Sequence, residues 1–413
     1  MNIDELRINS FLRFGYFCDY TKHRAPIDFS RIDKKLYEQV SWDDLVALGV
    51  EKLDKTFTDL WQEHREHVVP LSGGLDSRLI LGALLERVPA EKIRTYTFGI
   101  PGSYDFDIAN SIAKDYGTQH LPISLNNMSY SEADELAAAK RTDSQVILFH
   151  HPPFDQLDQQ FPGALTWSGY VGDVVGGSYL NRVPSDTPGT AQVGHLRNRV
   201  VVTSVNLSRF EDHEFLECMD ELTVDPVLLT YDEQVFFNEA APKFTAPLVL
   251  FPGYDFVAPF INTPWMDFIL SVPNRFRLDQ KLMFEIGRRA FPRLYNLPSK
   301  NRLGHTFDTP DIVLTSTFWL NRIRKAGHQF FPGINWPNFQ YNDFNEAIRS
   351  NPSLRHLVRK SIDDLRGRGI CDWVDFDGIW RRHDWRIRNH GDALIILASL
   401  ELNLKAKEMA NLE

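Results

Sequence analysis

Three cysteines, Cys18, Cys218 and Cys371, are all that 413 residues contain, and none stands as C-x-x-C with another. That scarcity leaves a disulfide framework, a redox pair and a structural zinc site without support, and predicts free thiols in a reducing, cytoplasmic compartment. Long apolar runs are missing too. No stretch approaches the roughly eighteen uninterrupted apolar residues of a membrane span, and Met1-Asn2-Ile3-Asp4-Glu5 lacks the basic and apolar blocks of a signal peptide, so no membrane partner is expected. Positive charge is in deficit: 45 Lys and Arg against 55 Asp and Glu leave a formal −10. Broad binding to nucleic acid relies on clustered cations, and nucleic acid is therefore not an expected partner.

What is present is a core-forming composition, 43% hydrophobic and 12% aromatic, which predicts folding throughout. The most informative stretch runs from His67 to Arg78: an apolar strand, the string Ser72-Gly73-Gly74-Leu75-Asp76-Ser77, then a helical pattern in Ile80, Leu84 and Val88. Strand, tight glycine loop and helix N-terminus together make an anion site, because backbone N–H groups and the positive end of the helix dipole converge there. Phosphate is the natural guest. The loop lacks the lysine of the P-loop pattern, so charge neutralisation must come from elsewhere, and Asp76 can hold a Mg²⁺ that phosphate oxygens also ligate.

Downstream, Ile93–Gly99, a helix from Ile108 to Tyr116, and His120–Ile123 continue as β-α-β-α-β. This alternation predicts a doubly wound parallel α/β sheet whose ligands sit beyond the carboxyl ends of its strands. Gly99 reads either as a close approach to adenine or ribose, or as a strand end. Asp105 and Asp107 read as nucleotide contacts or helix caps, with Asp107 the cap of a helix beginning at Ile108. His150-His151 is expected in an extended loop, without a metal. A second glycine-rich turn, Leu165 to Tyr179, carries one carboxylate, Asp173, which could share the Mg²⁺ with Asp76. Residues 306–413 are helical by pattern. The interleaved Arg381–Arg388 stretch either packs on the core or binds an anionic or sugar ligand.

The Ser72–Ser77 string resembles the pyrophosphate loop of the ATP pyrophosphatase (adenine nucleotide alpha hydrolase-like) superfamily. With Phe98-Gly99, the helix ending before Gly117-Thr118-Gln119-His120, and the turn from Ser168-Gly169 to Gly177-Ser178-Tyr179, the order is similar to that in the synthetase domain of asparagine synthetases. β-Lactam synthetases and lasso-peptide cyclases are related. The resemblance implies three regions: an N-terminal segment 1–65, read as a remnant of a glutaminase-like domain plus a helix, an ATP-binding domain 66–305, and a helical C-terminal subdomain 306–413. It implies ATP and Mg²⁺ as cofactors, with Ser72, Gly73, Gly74, Leu75, Ser77, Phe98, Gly99, Ser168 and Gly169 at the nucleotide and Asp76 and Asp173 at the metal. The implied reaction is adenylation of a carboxylate with release of pyrophosphate, followed by transfer of the acyl group to ammonia or an amine.

Several departures shape the expectation. The second cluster reads Ser168-Gly169-Tyr170-Val171-Gly172-Asp173-Val174 where asparagine synthetases carry Ser-Gly-Glu-Gly-Ala-Asp-Glu, so aspartate is not the expected substrate and Tyr170 is expected in an altered acceptor pocket. Val257 and Asn262 replace an arginine and an aspartate of the family, leaving that segment a packing role. No glutaminase is expected in the residues before the loop, and nitrogen is expected from free ammonia, a separate glutaminase or an amine on the second substrate. Near Lys300-Asn301-Arg302-Leu303-Gly304-His305 the family's two cations are exchanged, making Arg302 and Lys300 the catalytic candidates. The substrate carboxylate is expected on a small molecule, a peptide or a glycan. The rival expectation is a degenerate member that binds nucleotide or a partner without catalysis. A tRNA-modifying enzyme of the same loop superfamily is disfavoured by the acidic balance.

Overall fold

The computed structural model describes residues 3–22, 24–328 and 341–410. Five strands, β1 (His67–Pro70), β2 (Ile93–Gly99), β3 (Gln119–Ser124), β4 (Leu165–Trp167) and β5 (Asp255–Val257), form one sheet in the order β3-β2-β1-β4-β5. Every pairing is parallel. β1 leads through α3 (Asp76–Leu85) to β2, and through α4 (Tyr104–Tyr116) to β3 on one side. The chain then returns to the other side of β1 as β4. The direction of winding therefore reverses between β1 and β4, and in doubly wound sheets ligands bind beyond the strand ends at such a reversal. β5 is the strand that pattern reading missed; three residues at a sheet edge carry too little alternation to register.

Beneath the sheet, α2 (Trp42–Leu60) supplies the packing. Ser41 caps it, its Oγ accepting from Asp44 N at 3.2 Å, and Leu45, Val46, Leu53 and Phe57 form its buried face. Phe57 stacks on Trp167 with centroids 5.2 Å apart, and Trp61 stacks on His67 at 4.0 Å. Trp167 Nε1 donates to His67 Nδ1 at 2.9 Å. β1 and β4 are thus cross-tied by side chains as well as by backbone, just below the loops that follow them.

α4 begins at Tyr104, earlier than the Ile108 start read from the sequence. Asp107 accordingly lies inside the first turn and accepts from Gly102 N at 3.0 Å; it braces the incoming loop and does not cap the helix. The helix stops at Gly117, in the left-handed region at φ 76°, where glycine carries no steric penalty.

A second core joins α1 (Ile3–Phe14) to the helices Pro352–Arg368 and Gly391–Ala410. The last of these is buried on nearly all sides from Ala393 to Leu402, as expected of a helix apolar all round. Residues 1–65 therefore divide between two cores, α1 with the C-terminal helices and α2 under the sheet. Residues 329–340 of the predicted helical region lie outside those described. Among the described residues no helix is long and apolar enough to cross a membrane.

Tertiary packing adds a contact to the free thiols expected from the sequence. Cys18 and Cys218 are distant in sequence, yet their thiols lie within hydrogen-bonding reach of each other, both free. Spacing along a chain reveals local motifs and is blind to such a pair.

One buried ion pair supports the turn after β4. Arg277 and Glu233 are both fully buried and 2.7 Å apart, and Arg277 Nη2 also donates to Val175 O at 2.9 Å. Glu233→Ala would leave the guanidinium charged and unpaired in the core. We expect a loss of about 3–5 kcal/mol in chemical denaturation; a loss below about 1 kcal/mol would contradict this role for the pair.

Candidate functional site at the carboxyl ends of β1 and β4

After Pro70 the chain keeps one more sheet bond, Leu71 N to Tyr96 O at 2.8 Å, then turns through Ser72–Leu75 into α3. Two hydroxyls hold the turn. Ser72 N donates to Ser77 Oγ at 3.2 Å, the two serine oxygens are 3.1 Å apart, and Gly74 N donates to Ser72 Oγ at 3.2 Å. Gly73 sits at a crowded point: a Cβ there would meet Tyr104 O at 3.0 Å and both Asp105 Cα and Lys300 Cβ at 3.3 Å. Its N–H donates to Asp105 Oδ1 at 3.0 Å. Its carbonyl accepts from Lys300 N at 3.0 Å and Ser299 Oγ at 3.3 Å.

Arg78, which the sequence reading passed over, braces this turn from behind. Its side chain is fully buried and donates to the carbonyls of Gly73 (3.3 Å), Leu294 (3.2 Å), Leu297 (3.1 Å) and Pro298. Burial lowers its pKa to about 10. The guanidinium thereby ties the loop to the segment that delivers Lys300. A buried arginine answered by carbonyls needs no carboxylate partner within its own motif, so no pairing pattern in the sequence announces it.

The turn after β4 comes from the neighbouring strand. Ser168 N bonds Val257 O at 2.7 Å, and Ser168 Oγ accepts from Tyr170 N at 3.2 Å. Val171 adopts φ 50°, a region branched residues rarely occupy, and this sharp turn passes Gly172 directly over Asp76. A Cβ on Gly172 would fall 2.7 Å from the Phe260 ring and 3.0 Å from the Asp76 carboxyl carbon. A Cβ on Gly169 would likewise fall 3.4 Å from the Asp76 Cβ. The next residue is Asp173, in the short helix Gly172–Gly176. Its backbone N–H donates to the Asp76 carboxylate, and its own carboxylate accepts from Ser178 Oγ at 3.1 Å.

The two aspartates that the sequence placed at a shared metal are therefore adjacent. Asp76 keeps a little solvent access but is otherwise enclosed. Burial, then repulsion from Asp173, raises its pKa to about 8, against the pull of Lys300. Burial raises Asp173 also, opposed by Ser178 and backbone N–H groups. A largely enclosed Asp76 beside a more exposed Asp173, with the Lys300 ammonium acting on both, forms a donor set that fits a hard divalent cation. Among the described residues no cluster of three or more His, Cys, Asp or Glu could hold a metal, so the rest of a Mg²⁺ shell would be phosphate oxygens and water.

Of the two candidate cations, Lys300 is the one at the loop. Its Nζ lies 3.0 Å from Asp105 Oδ1 and 3.2 Å from Oδ2, and it acts electrostatically on both Asp76 and Asp173. Arg302 is turned to the carbonyls of Phe307 (3.3 Å) and Thr309 (3.0 Å), which corrects its expected place at the phosphates. Two residues further along a 3-10 turn, a side chain no longer points the same way. Phe98 and Gly99 end their strand under Tyr341, whose ring meets Phe98 edge-on at 5.5 Å and whose carbonyl accepts from Ile100 N at 2.8 Å. Tyr170 is buried in the principal core, so it does not line an open acceptor pocket. His150 and His151 part company, the first to Tyr341 Oη at 2.6 Å and the second to Glu135 at 3.1 Å. Asn262 makes a local bond to Ala258 O at 2.7 Å, in keeping with a packing role.

A comparison with curated proteins returns no match. Residues 51–143 match the family model described as Asparagine synthase. The matched stretch contains the Ser72–Ser77 loop, Asp76 and Asp105; the fold adds Asp173 and Lys300 from beyond it. That loop, at the winding reversal of a parallel sheet, lies within the stretch that is similar to the Asparagine synthase family model.

Proposed function

We propose that the chain adenylates a carboxylate with ATP and passes the acyl group to ammonia or an amine. The observation that carries this reading is the meeting of Asp76 and Asp173 beside the Ser72–Ser77 loop. In the first step a substrate carboxylate oxygen attacks the α-phosphorus, the bond to the β-phosphate oxygen breaks, and pyrophosphate leaves. In the second the nitrogen attacks the acyl carbon and AMP leaves. Negative charge builds on the departing pyrophosphate, and donors fixed in advance around it lower that barrier most. The α3 N-terminus, the loop N–H groups and Lys300 Nζ are those donors. When bound, Mg²⁺ held by Asp76 and Asp173 would supply charge neutralisation at the phosphates. The Gly73 N–H and Lys300 already hold an oxyanion, the Asp105 carboxylate, and phosphate oxygens would take its place.

A second reading, nucleotide or partner binding without catalysis, is favoured by that same contact, since Asp105 occupies a donor the phosphates need. ATP–pyrophosphate exchange across pooled carboxylates separates the two. Carboxylate-dependent exchange supports adenylation, and its absence with every pool, despite ATP binding, supports the second reading.

Within the first reading Asp76→Ala is expected to reduce exchange by about a hundredfold or more, and Lys300→Ala by a similar factor. Arg302→Ala, removing a cation engaged elsewhere, should cost less than about tenfold. An inverted order for the two cations would place the phosphates near Arg302 and contradict the assignment of Lys300.

Burial also sets a pH dependence. Folding raises Asp76 from the ordinary value near 3.9 to about 8, so its protonated form is favoured in the fold. That contribution is complete below about pH 4 and is lost as pH rises toward about 8. In EDTA, Asp76→Asn should therefore gain in denaturation midpoint over the parent chain between about pH 5 and pH 8. Curves that stay parallel over that range would show that the carboxyl is not enclosed as described.

A further inference from the structure

Outside the aspartate cluster, the fold brings two thiols together. Cys18 follows α1 and Cys218 closes the 3-10 stretch Asp212–Cys218, and both pack into one small core with Phe14, Tyr16, Val146 and Phe215. Their sulfurs are within hydrogen-bonding reach of each other, and both thiols are free. Cys18 is buried, whereas Cys218 keeps part of its surface in solvent.

The backbone beside each cysteine is fixed. Cys18 N donates to Ser10 Oγ at 3.1 Å, and Phe17 N donates to Gln145 O at 3.2 Å. Gln145 Nε2 in turn donates to Phe17 O at 2.7 Å and to Lys243 O at 3.0 Å. Lys243, in the π-helix Phe236–Thr245, also reaches the other cysteine. Its Nζ donates to Cys218 O at 3.4 Å and to Glu239 Oε2 at 2.7 Å, while Glu239 accepts from Asp220 N at 2.7 Å. One helix therefore anchors the chain beside both thiols, and their approach is built into the packing.

Among the described residues no cluster of three or more His, Cys, Asp or Glu could hold a metal, which leaves thiol chemistry for the pair. A thiolate is the reactive form of cysteine. The hydrogen bond from Cys218 lowers Cys18 despite its burial, and the same bond holds the proton on Cys218. Cys371 lies in the core of the C-terminal helices, where burial pushes its thiol up to about 12. Reactivity is thus concentrated in the pair.

We propose that Cys18 and Cys218 are a redox modification site: a peroxide joins them in a disulfide that clasps the residues after α1 to the 212–218 stretch, and a thiol reductant reopens it. The peroxide O–O bond breaks as one thiol becomes a sulfenic acid and water leaves. The second thiol then attacks that sulfur, the S–O bond breaks, and the departing hydroxyl takes the thiol proton to leave as a second water. Two thiols lose two electrons to one peroxide. The sulfurs have only to close from hydrogen-bonding reach to the bond length of about 2 Å. The site shares no residue with the aspartate cluster and does not depend on the adenylation reading.

Mass spectrometry of the folded full chain after treatment with equimolar hydrogen peroxide reads the bond directly. The expected product is lighter by the two thiol hydrogens, carries Cys18 linked to Cys218, and returns to the parent mass in dithiothreitol. Linking should be about tenfold or more faster in the folded chain than in urea, where the long loop between the thiols must first close. Cys371→Ser should leave the link intact; Cys218→Ser, at the less buried position, should abolish it. The linked chain should also unfold at a higher urea concentration than the reduced one, because the closed loop restricts the unfolded state. Oxygen added to either cysteine without a link, a link that forms only in urea, or a link lost in Cys371→Ser overturns the proposal. A linked chain that unfolds at lower urea than the reduced one overturns the clasp, since the bond would then strain the fold.

Discussion

The parallel pairing of β1 with β4 is the constraint on which the rest of the molecule depends. His67 opposite Leu165 and Val68 opposite Thr166 set two turns side by side that are far apart along the chain. Each turn delivers one carboxylate. Burial and the neighbouring Asp173 both favour the proton on Asp76, so a cation beside the pair would favour its ionised form. The scaffold resists their repulsion through contacts below and behind. The His67–Trp167 bond ties the strands, Phe260 backs Gly172, and the Arg277–Glu233 pair anchors Val175 just beyond Asp173.

The donors of the loop are engaged by the chain's own groups. Gly73 N–H and Lys300 Nζ both address Asp105, a carboxylate of the chain's own first α4 turn. Arg78 secures the opposite face of the same glycine through its carbonyl. The turn is therefore held from both sides, and its donors are fixed in place. In the proposed adenylation, preorganisation of this kind would remove reorganisation from the reaction step, and the phosphates would have to displace the Asp105 contact.

Much of this was legible in residue order. The string Ser72–Ser77, the strand–helix alternation after it, and the lone carboxylate of the second glycine turn pointed to a parallel sheet with Asp76 and Asp173 at its carboxyl edge. Such features are local or periodic, so sequence carries them. What escaped is tertiary. β5 is three residues long; the Cys18–Cys218 approach and the Tyr341 cover over Gly99 join distant segments. The choice between Lys300 and Arg302 turned on the direction of side chains within one 3-10 turn, which composition and charge cannot resolve. Arg78 was hidden for another reason: its acceptors among the described residues are carbonyl oxygens, which every residue supplies and which mark no position.

The central claim is that Asp76 and Asp173 hold one divalent ion together with nucleotide phosphates. Mn²⁺ binding, followed by electron paramagnetic resonance in the presence of a non-cleavable α,β-methylene ATP analogue, tests it most directly. The account predicts one ion per chain, lost alike in Asp76→Asn and Asp173→Asn, with the double variant no weaker than either. Undiminished binding in one of the single variants, or losses that simply add, would mean the two carboxylates do not share a metal.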